Sequence, residues 1–361
     1  MPHDLGEDDR VAAMIAEISA DAAARDADGG FPHSAFAALA AAGLIRQPPI
    51  GAGEGHALLR LLAAVGRGDL NVGRIFEGHV NACVLIETFG TPAQRGRYSK
   101  LAADGAVFGV WNTDAPDDPL RLAGDGRLAG KKTFASGVDG LSHAIVTINV
   151  EGARRMIMAP VRGRPVDRTW WRPLGMRASG SHVIDFTGMP LEDDWMLGGP
   201  DDYIAQPRFS GGAIRFLAVQ VGGMHAVLDA AVTHLGATGR TDDPYQAHRI
   251  ARMGVAVETG YLWIRRAAEA WESAAASDDA GDLLVATANG ARVVVEAEAL
   301  VMLEEAERAV GAAGLIAPHP LERLIRDLRT YLRQPNPDGA AAAFGRAIAK
   351  GSWARGVHHR A

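Results

Sequence analysis

Three regions of the sequence hold residues whose types and spacing could do chemistry. The first is "GRIFEGHVNACVLI". Glu77 and Asn81 stand four apart and so share one face of a helix, with Gly78 and His79 beside Glu77. Inside a pocket, burial raises the pKa of a carboxyl and lowers that of an imidazole, which separates acid from base roles. A satisfied cluster at a helix end is the plainer account of the same residues. The second region is the pair "VWNTD" and "TFASG". Trp111 and Thr113 lie two apart, as do Phe134 and Ser136, so on strands each pair shares a face. Aromatic faces flanked by hydroxyls suit a flat ring with polar atoms at its edge; a β core with surface Thr and Ser would read the same way. The third region is "RDLRTYLRQPNPDG", from Arg326. A basic, apolar helix runs to Leu332 and stops, because Pro335 and Pro337 lack an N–H and disfavour helix in the residue before each. Asp338 follows the stop, either as a proton acceptor or as a polar turn residue.

The elements that must hold these residues fall into three zones: 1–105, 106–205 and 206–361. The first is Ala/Leu-rich with helical spacing. In "FPHSAFAALAAAGLI" Pro32 suits a helix start and Gly43 a helix end. In "TPAQRGRYSKLAADG" Thr91 is an N-cap with Pro92 at the first helical position. The middle zone breaks into short β-rich runs such as "AVFGVWNT", "SHAIVTINV" and "RRMIMAPV", the spacing of a small antiparallel barrel or sandwich. The last zone returns to long periodic stretches that predict an antiparallel four-helix bundle. The fold class is α+β: an N-terminal helical domain, a middle β domain and a C-terminal helical bundle.

Composition bounds the rest. The 361 residues exceed the roughly 250–300 at which a single core usually splits. A 48% hydrophobic and 22% charged chain is of ordinary globular type. Its net charge of −6, without a basic block, argues against a nucleic-acid partner. Cys83 is the only cysteine, which excludes an intramolecular disulfide and a cysteine-based zinc site and fits a reducing compartment. The acidic, amphipathic start does not read as a signal peptide. No apolar run is expected to reach the ~18 residues that span a bilayer. The expectation is a cytoplasmic protein without a membrane partner. His358 and His359, with no acidic neighbour, predict no metal site.

Five blocks in sequence order resemble the acyl-CoA dehydrogenase family: "FGTPAQRGRYSKLAADGAVFGVWNTD", "LAGKKTFASGVDGLSHAIVTI", "RPLGMRASGSHVIDFTGMPLEDDWMLGG", "VGGMHAVLDAAVTH" and "HPLERLIRDLR". Together they span roughly Phe31 to Asp338. The resemblance implies FAD held between the β domain and the bundle and completed by a neighbouring subunit in a homodimer or homotetramer. It places Thr113 and Ser136 at the family's flavin-bonding hydroxyls and Phe134 at its ring-contacting aromatic, with Trp111 on the same strand as Thr113. It places Arg240 and Gln246 at the diphosphate, although the loop "GRTDDPYQAHR" is short and lacks the family's Phe. Gly311 and Gly314, in "GAAG", match the glycine turn near the adenine half. A solvated turn charge accounts equally for Arg240, and a helix C-cap for the glycines.

The family also implies a base. Removing an α-proton while hydride leaves the β-carbon requires a carboxylate within hydrogen-bond reach. Counting along the family's two positions for that Glu gives Pro335 and Ala213, neither of which accepts a proton. Asp338 serves only if the loop carries a small insertion, and Glu77 falls where the acyl pocket ends. The leading expectation is an FAD-dependent oxidoreductase acting on the CH–CH group of an acyl thioester or a related small molecule, possible substrates including acyl-CoA. Its redox partner would be a flavin reductase or an electron-transfer flavoprotein. The alternatives are a flavin monooxygenase or oxidase on the same fold, which needs no α-proton base, and a non-catalytic family member.

Overall fold

In the computed structural model, residues 9–276 and 280–353 are described, so His358 and His359 lie outside the described residues. Six helices come first: α1 (Asp9–Ala20), α2 (Ala22–Asp28), α3 (His33–Ala41), α4 (Gly55–Gly68), α5 (Leu70–Phe89) and α6 (Pro92–Ala103). The Asp69 side chain caps α5 by accepting from the Asn71 N–H at 2.7 Å. Thr91 and Gln94 form the reciprocal capping box at the start of α6.

Nine short strands follow: β1 (Phe108–Trp111), β2 (Arg121–Leu122), β3 (Leu128–Ala129), β4 (Lys131–Ala135), β5 (His143–Val150), β6 (Ala153–Pro160), β7 (Val166–Asp167), β8 (His182–Asp185) and β9 (Met196–Leu197). They form two sheets. One runs β3-β2-β5-β6-β9, with β1 also on β5; the other is β4-β8-β7. Most pairs are antiparallel, but β1 and β2 both run parallel to β5, one after the other along its edge. Six further helices follow among the described residues: α7 (Arg208–Gly211), α8 (Ala213–Ala237), α9 (Pro244–Ala276), α10 (Gly281–Val310), α11 (Pro320–Tyr331) and α12 (Pro337–Lys350). The chain is thus α+β, with helices on both sides of a β middle.

The bundle core is set by glycine. A Cβ on Gly222 of α8 would lie 1.9 Å from the Ala63 carbonyl oxygen of α4, and one on Gly66 would lie 2.3 Å from that of Val219. The two helices therefore meet backbone to backbone, a distance only glycine permits. The stretch Arg208–Ala237 is long and apolar enough, by length and composition, to cross a bilayer. It spends that apolar character inside the bundle, where Leu217, Val219, Val221, Met224 and Val227 are buried.

One buried carboxylate ties the layers together. Asp327 of α11 accepts from the Met176 N–H at 2.5 Å, from Asn71 Nδ2 at 3.1 Å and from Arg323 Nη1 at 3.3 Å. Asn71 in turn accepts from the Ser179 N–H at 3.0 Å, and its neighbour Asp69 pairs with Arg25 at 2.9 Å. Burial first, then the nearby Asp69 charge, pushes the Asp327 pKa up to about 7, against the Arg323 guanidinium and the Met176 N–H.

Candidate functional site

β4 bulges against β8: the register runs Lys131–Asp185 and Lys132–Ile184, then jumps to Ala135–His182. In that jump Phe134 takes a φ of 52°. A left-handed backbone costs a residue with a Cβ roughly 1–2 kcal/mol, and strain of this kind concentrates at functional sites. The turn throws Phe134 outward, 38% exposed. There its ring meets Trp170 edge-on at 4.9 Å and Trp171 at 6.0 Å. Ser136, past the end of β4, is buried instead. The expectation that Phe134 and Ser136 share a face is corrected, because alternation holds only while the backbone stays extended. The same correction applies one strand away. β1 ends at Trp111, which is buried and donates from Nε1 to the Ser136 carbonyl at 3.2 Å. Trp111 therefore supports the face from beneath. Thr113, beyond the strand end, is exposed, and its carbonyl accepts from the Thr133 N–H at 2.9 Å.

Behind this aromatic face runs a hydroxyl relay. Ser136 Oγ lies 2.8 Å from Ser181 Oγ, which lies 2.8 Å from Ser179 Oγ, which donates to the Met176 carbonyl at 2.8 Å. Each hydroxyl has one proton, so the final donation fixes the order: Ser181 gives to Ser179 and Ser136 gives to Ser181. Ser136 is left with lone pairs. Below the relay, buried Lys132 bonds Asp114 at 2.7 Å, the Asn112 carbonyl at 3.1 Å and Thr147 Oγ1 at 3.2 Å, which pins the segment carrying Thr113. Desolvation lowers the Lys132 pKa, opposed by Asp114. A cavity of about 620 Å3 opens beside Trp171, lined also by Arg168, Arg172, Arg177, His182 and Asp139.

A second polar group is sealed between α5, α8 and α11. Glu77 Oε2 accepts from Arg74 Nη1 at 2.6 Å, and its Oε1 accepts from Asn81 Nδ2. Asn81 Oδ1 accepts from Arg215 Nε. The hydroxyl of Tyr331 is buried without a hydrogen-bond partner. Burial and then Glu77 push the Tyr331 pKa up, and the same causes push Tyr203 up to about 12. Glu77 is therefore in the chamber, but both its oxygens are already engaged.

His79, expected as an acid–base partner of Glu77, is corrected to a structural role. The Phe108 N–H donates to its Nδ1 at 3.1 Å, so Nε2 carries the proton and meets the Ile45 carbonyl at 2.8 Å. Desolvation lowers its pKa to about 4, so it stays neutral. Asp338 is also corrected. Asn336 turns the chain with a φ of 49° and caps α12, so Asp338 is exposed in the first turn of that helix, where it complements the dipole. Pro335 is exposed, and its carbonyl is held by Arg292.

The remaining predicted residues lie elsewhere. Arg240 is exposed in the turn before α9, its N–H donating to the Leu235 carbonyl at 2.8 Å. Gln246 is buried in the first turn of α9, with its Oε1 unpartnered. Gly311 caps α10 with a φ of 76°, and Gly314 packs closely on Val310 and Leu321. Among the described residues, no hydrogen bond or ring contact joins these four to the aromatic face. Sequence reasoning missed Arg74, Lys132, Trp170, Trp171, Arg215, Tyr331 and Asp327. Arg215 carried a signal, a cation inside the apolar run "AIRFLAVQV".

The sequence model of the acyl-CoA dehydrogenase C-terminal domain matches residues 203–333. Among curated proteins, L-evernosamine nitrososynthase of a Micromonospora species is 27% identical over 358 residues, covering 89% of this chain and 84% of its own. Dibenzothiophene monooxygenase of Rhodococcus erythropolis is 24% identical over 379 residues, covering 91% and 90%. Among solved structures, KijD3 in complex with FMN and dTDP-3-amino-2,3,6-trideoxy-4-keto-3-methyl-D-glucose superposes with a TM-score of 0.80 at 25% identity, covering 95% and 93%.

Proposed function

Because this chain is a divergent member of the acyl-CoA dehydrogenase family, we propose that it is a flavin-dependent monooxygenase rather than a dehydrogenase of acyl thioesters. One observation carries the choice. At the two positions where the family's base would stand, the chain has Pro335 and Ala213, and the nearby Asp338 points its helix turn to solvent. Oxygen chemistry on a reduced flavin needs no carboxylate there. The curated relatives are a nitrososynthase and sulfur-heterocycle monooxygenases, so the substrate class proposed here is a small nitrogen- or sulfur-bearing molecule.

The residues present fit a flavin. Phe134 and Trp170 offer exposed aromatic rings beside half-buried Trp171, Thr113 is exposed past the end of β1, and the buried Ser136 relay holds the end of β4 behind the rings. When bound, the flavin would supply the two electrons and the site of O2 activation. A separate reductase would supply the flavin in its reduced form. Arg240, in a short loop without the family's Phe, is a weak diphosphate clamp, which favours a mononucleotide such as the FMN bound by KijD3. A contribution from Arg240, Gln246, Gly311 and Gly314 would come through a second copy of the chain.

The test is a coupled assay with a flavin reductase, NADH, O2 and FMN or FAD. Substrate-dependent oxygenation of a heteroaromatic or amino-bearing compound is the expected result; rapid anaerobic flavin bleaching by an acyl-CoA would sink the reading. Separately, Thr113→Val removes an exposed hydroxyl and Ser136→Ala one link of the relay that holds Phe134 in place, each change worth about 1 kcal/mol. Titration with reduced FMN should show binding weaker by about 30-fold, with the circular dichroism spectrum unchanged.

A further inference from the structure

The polar chamber does not balance its charge. Arg215 is removed from water, Arg74 keeps about a fifth of its side chain exposed at 22%, and among the described residues the carboxylate acting on both is Glu77, which they share. Glu77 bonds Arg74 directly at 2.6 Å and reaches Arg215 only through the amide of Asn81. Arg215 is 7% exposed. Its remaining support is the face of Trp271, 5.1 Å from the guanidinium carbon, which is a weaker partner than an anion. A buried guanidinium with half a counter-charge is costly in the free protein.

Arg215 also forms a wall of a second cavity, of about 370 Å3, at the C-terminal end of α5. Leu58, Val84, Trp271 and Leu284 give that cavity apolar sides, and exposed Arg208 stands on its rim. Glu87, the carboxylate on its lining, pairs outward with Arg95 at 3.6 Å. The cavity therefore offers one sequestered cation, a second cation on its rim and an aromatic face, which is the complement of an oxyanion carried on a hydrophobic body.

We propose that this cavity binds a small organic anion, a carboxylate or phosphate group on an apolar body, with Arg215 as its buried anchor and Arg208 as its outer contact. As one end of the substrate pocket the site rests on the oxygenase reading; as a binding site it stands alone, so it is tested without flavin. An uncharged hydrocarbon tail would leave Arg215 with only the Asn81 amide and the Trp271 face, and should bind more weakly.

The experiment is calorimetric titration of the full-length, flavin-free protein with sodium benzoate and, separately, inorganic phosphate. Benzoate should bind saturably and more tightly than phosphate. Arg215→Met should weaken benzoate by about 30-fold or more, as for loss of one partner of a buried charge pair. Because that change also removes a poorly compensated charge, the variant's Tm should be unchanged or higher. Ala275→Phe, on an exposed position of the lining, should block benzoate by filling the cavity, and it keeps the question open to measurement if Arg215→Met fails to fold. Flavin uptake by both variants should match the wild type. No saturable benzoate binding to the wild type, equal binding to the variants, or binding of phosphate but not benzoate would each overturn the proposal.

Discussion

Mixed anaerobically with butyryl-, octanoyl- or palmitoyl-CoA, the flavin-loaded protein keeps its absorbance near ~450 nm, the band of an oxidised flavin. The α-proton of a thioester is weakly acidic, and a positioned base contributes on the order of 10²–10⁴ in rate. The chain offers proline and alanine where that base belongs, Asp338 is in a solvent-facing helix turn, and both Glu77 oxygens are engaged. Asp338→Asn should therefore leave the negligible bleaching unchanged. Bleaching that is brisk in the wild type and abolished by Asp338→Asn would mean that the loop after Arg333 rearranges to bring Asp338 inward. Bleaching abolished by Glu77→Gln would mean that Glu77 exchanges Arg74 for the substrate proton.

The contribution of Asp327 to stability should fall as pH rises from about 4 to 7, and Asp327→Asn should remove it. The Asp327 pKa is raised from 3.8 to about 7 in the fold. Between those values the native state holds a proton that the unfolded chain has released, so the native state is favoured at the acid end and loses that advantage as pH passes through 7. The difference is on the order of a few kcal/mol for a group this far from water. Other charges face the carboxylate: Asp69 and Asp26 reinforce the shift, and Arg323 opposes it. The neutral amide keeps an acceptor for the Met176 N–H and has no proton to release. Urea unfolding at pH 5, 6, 7 and 8 should show the variant gaining on the wild type with each step. Parallel pH profiles for the two proteins would mean that Asp327 is ionised throughout.

The architecture was legible because it follows from repetition. Helical periodicity before Asp104 and after Phe209, and short β runs between them, survive any single misplacement. The site was legible by residue type but not by orientation. Phe134 and Ser136 were found, yet no spacing rule announces a left-handed residue inside a strand, and that one dihedral sends the two side chains opposite ways. His79 resembled a chemical histidine because its partners, the Ile45 carbonyl and the Phe108 N–H, come from 34 and 29 residues away. Asp338 was misplaced because Asn336 starts a new helix where a loop was expected. The chamber is assembled from α5, α8 and α11, and its charge imbalance exists only once they pack.

The bonds gathered at Asp327 also decide how the molecule comes apart. One side chain joins the crossover at Met176 and the helix start at Asn71 to α11, where it also meets Arg323, and Asn71 carries the link on to Ser179. The three compositional zones therefore cannot release one another piecemeal: freeing any of them strands buried donors in the others, each costing about 1–3 kcal/mol. Heating should give one calorimetric peak whose van't Hoff and measured enthalpies agree, rather than a β middle that melts ahead of its helices.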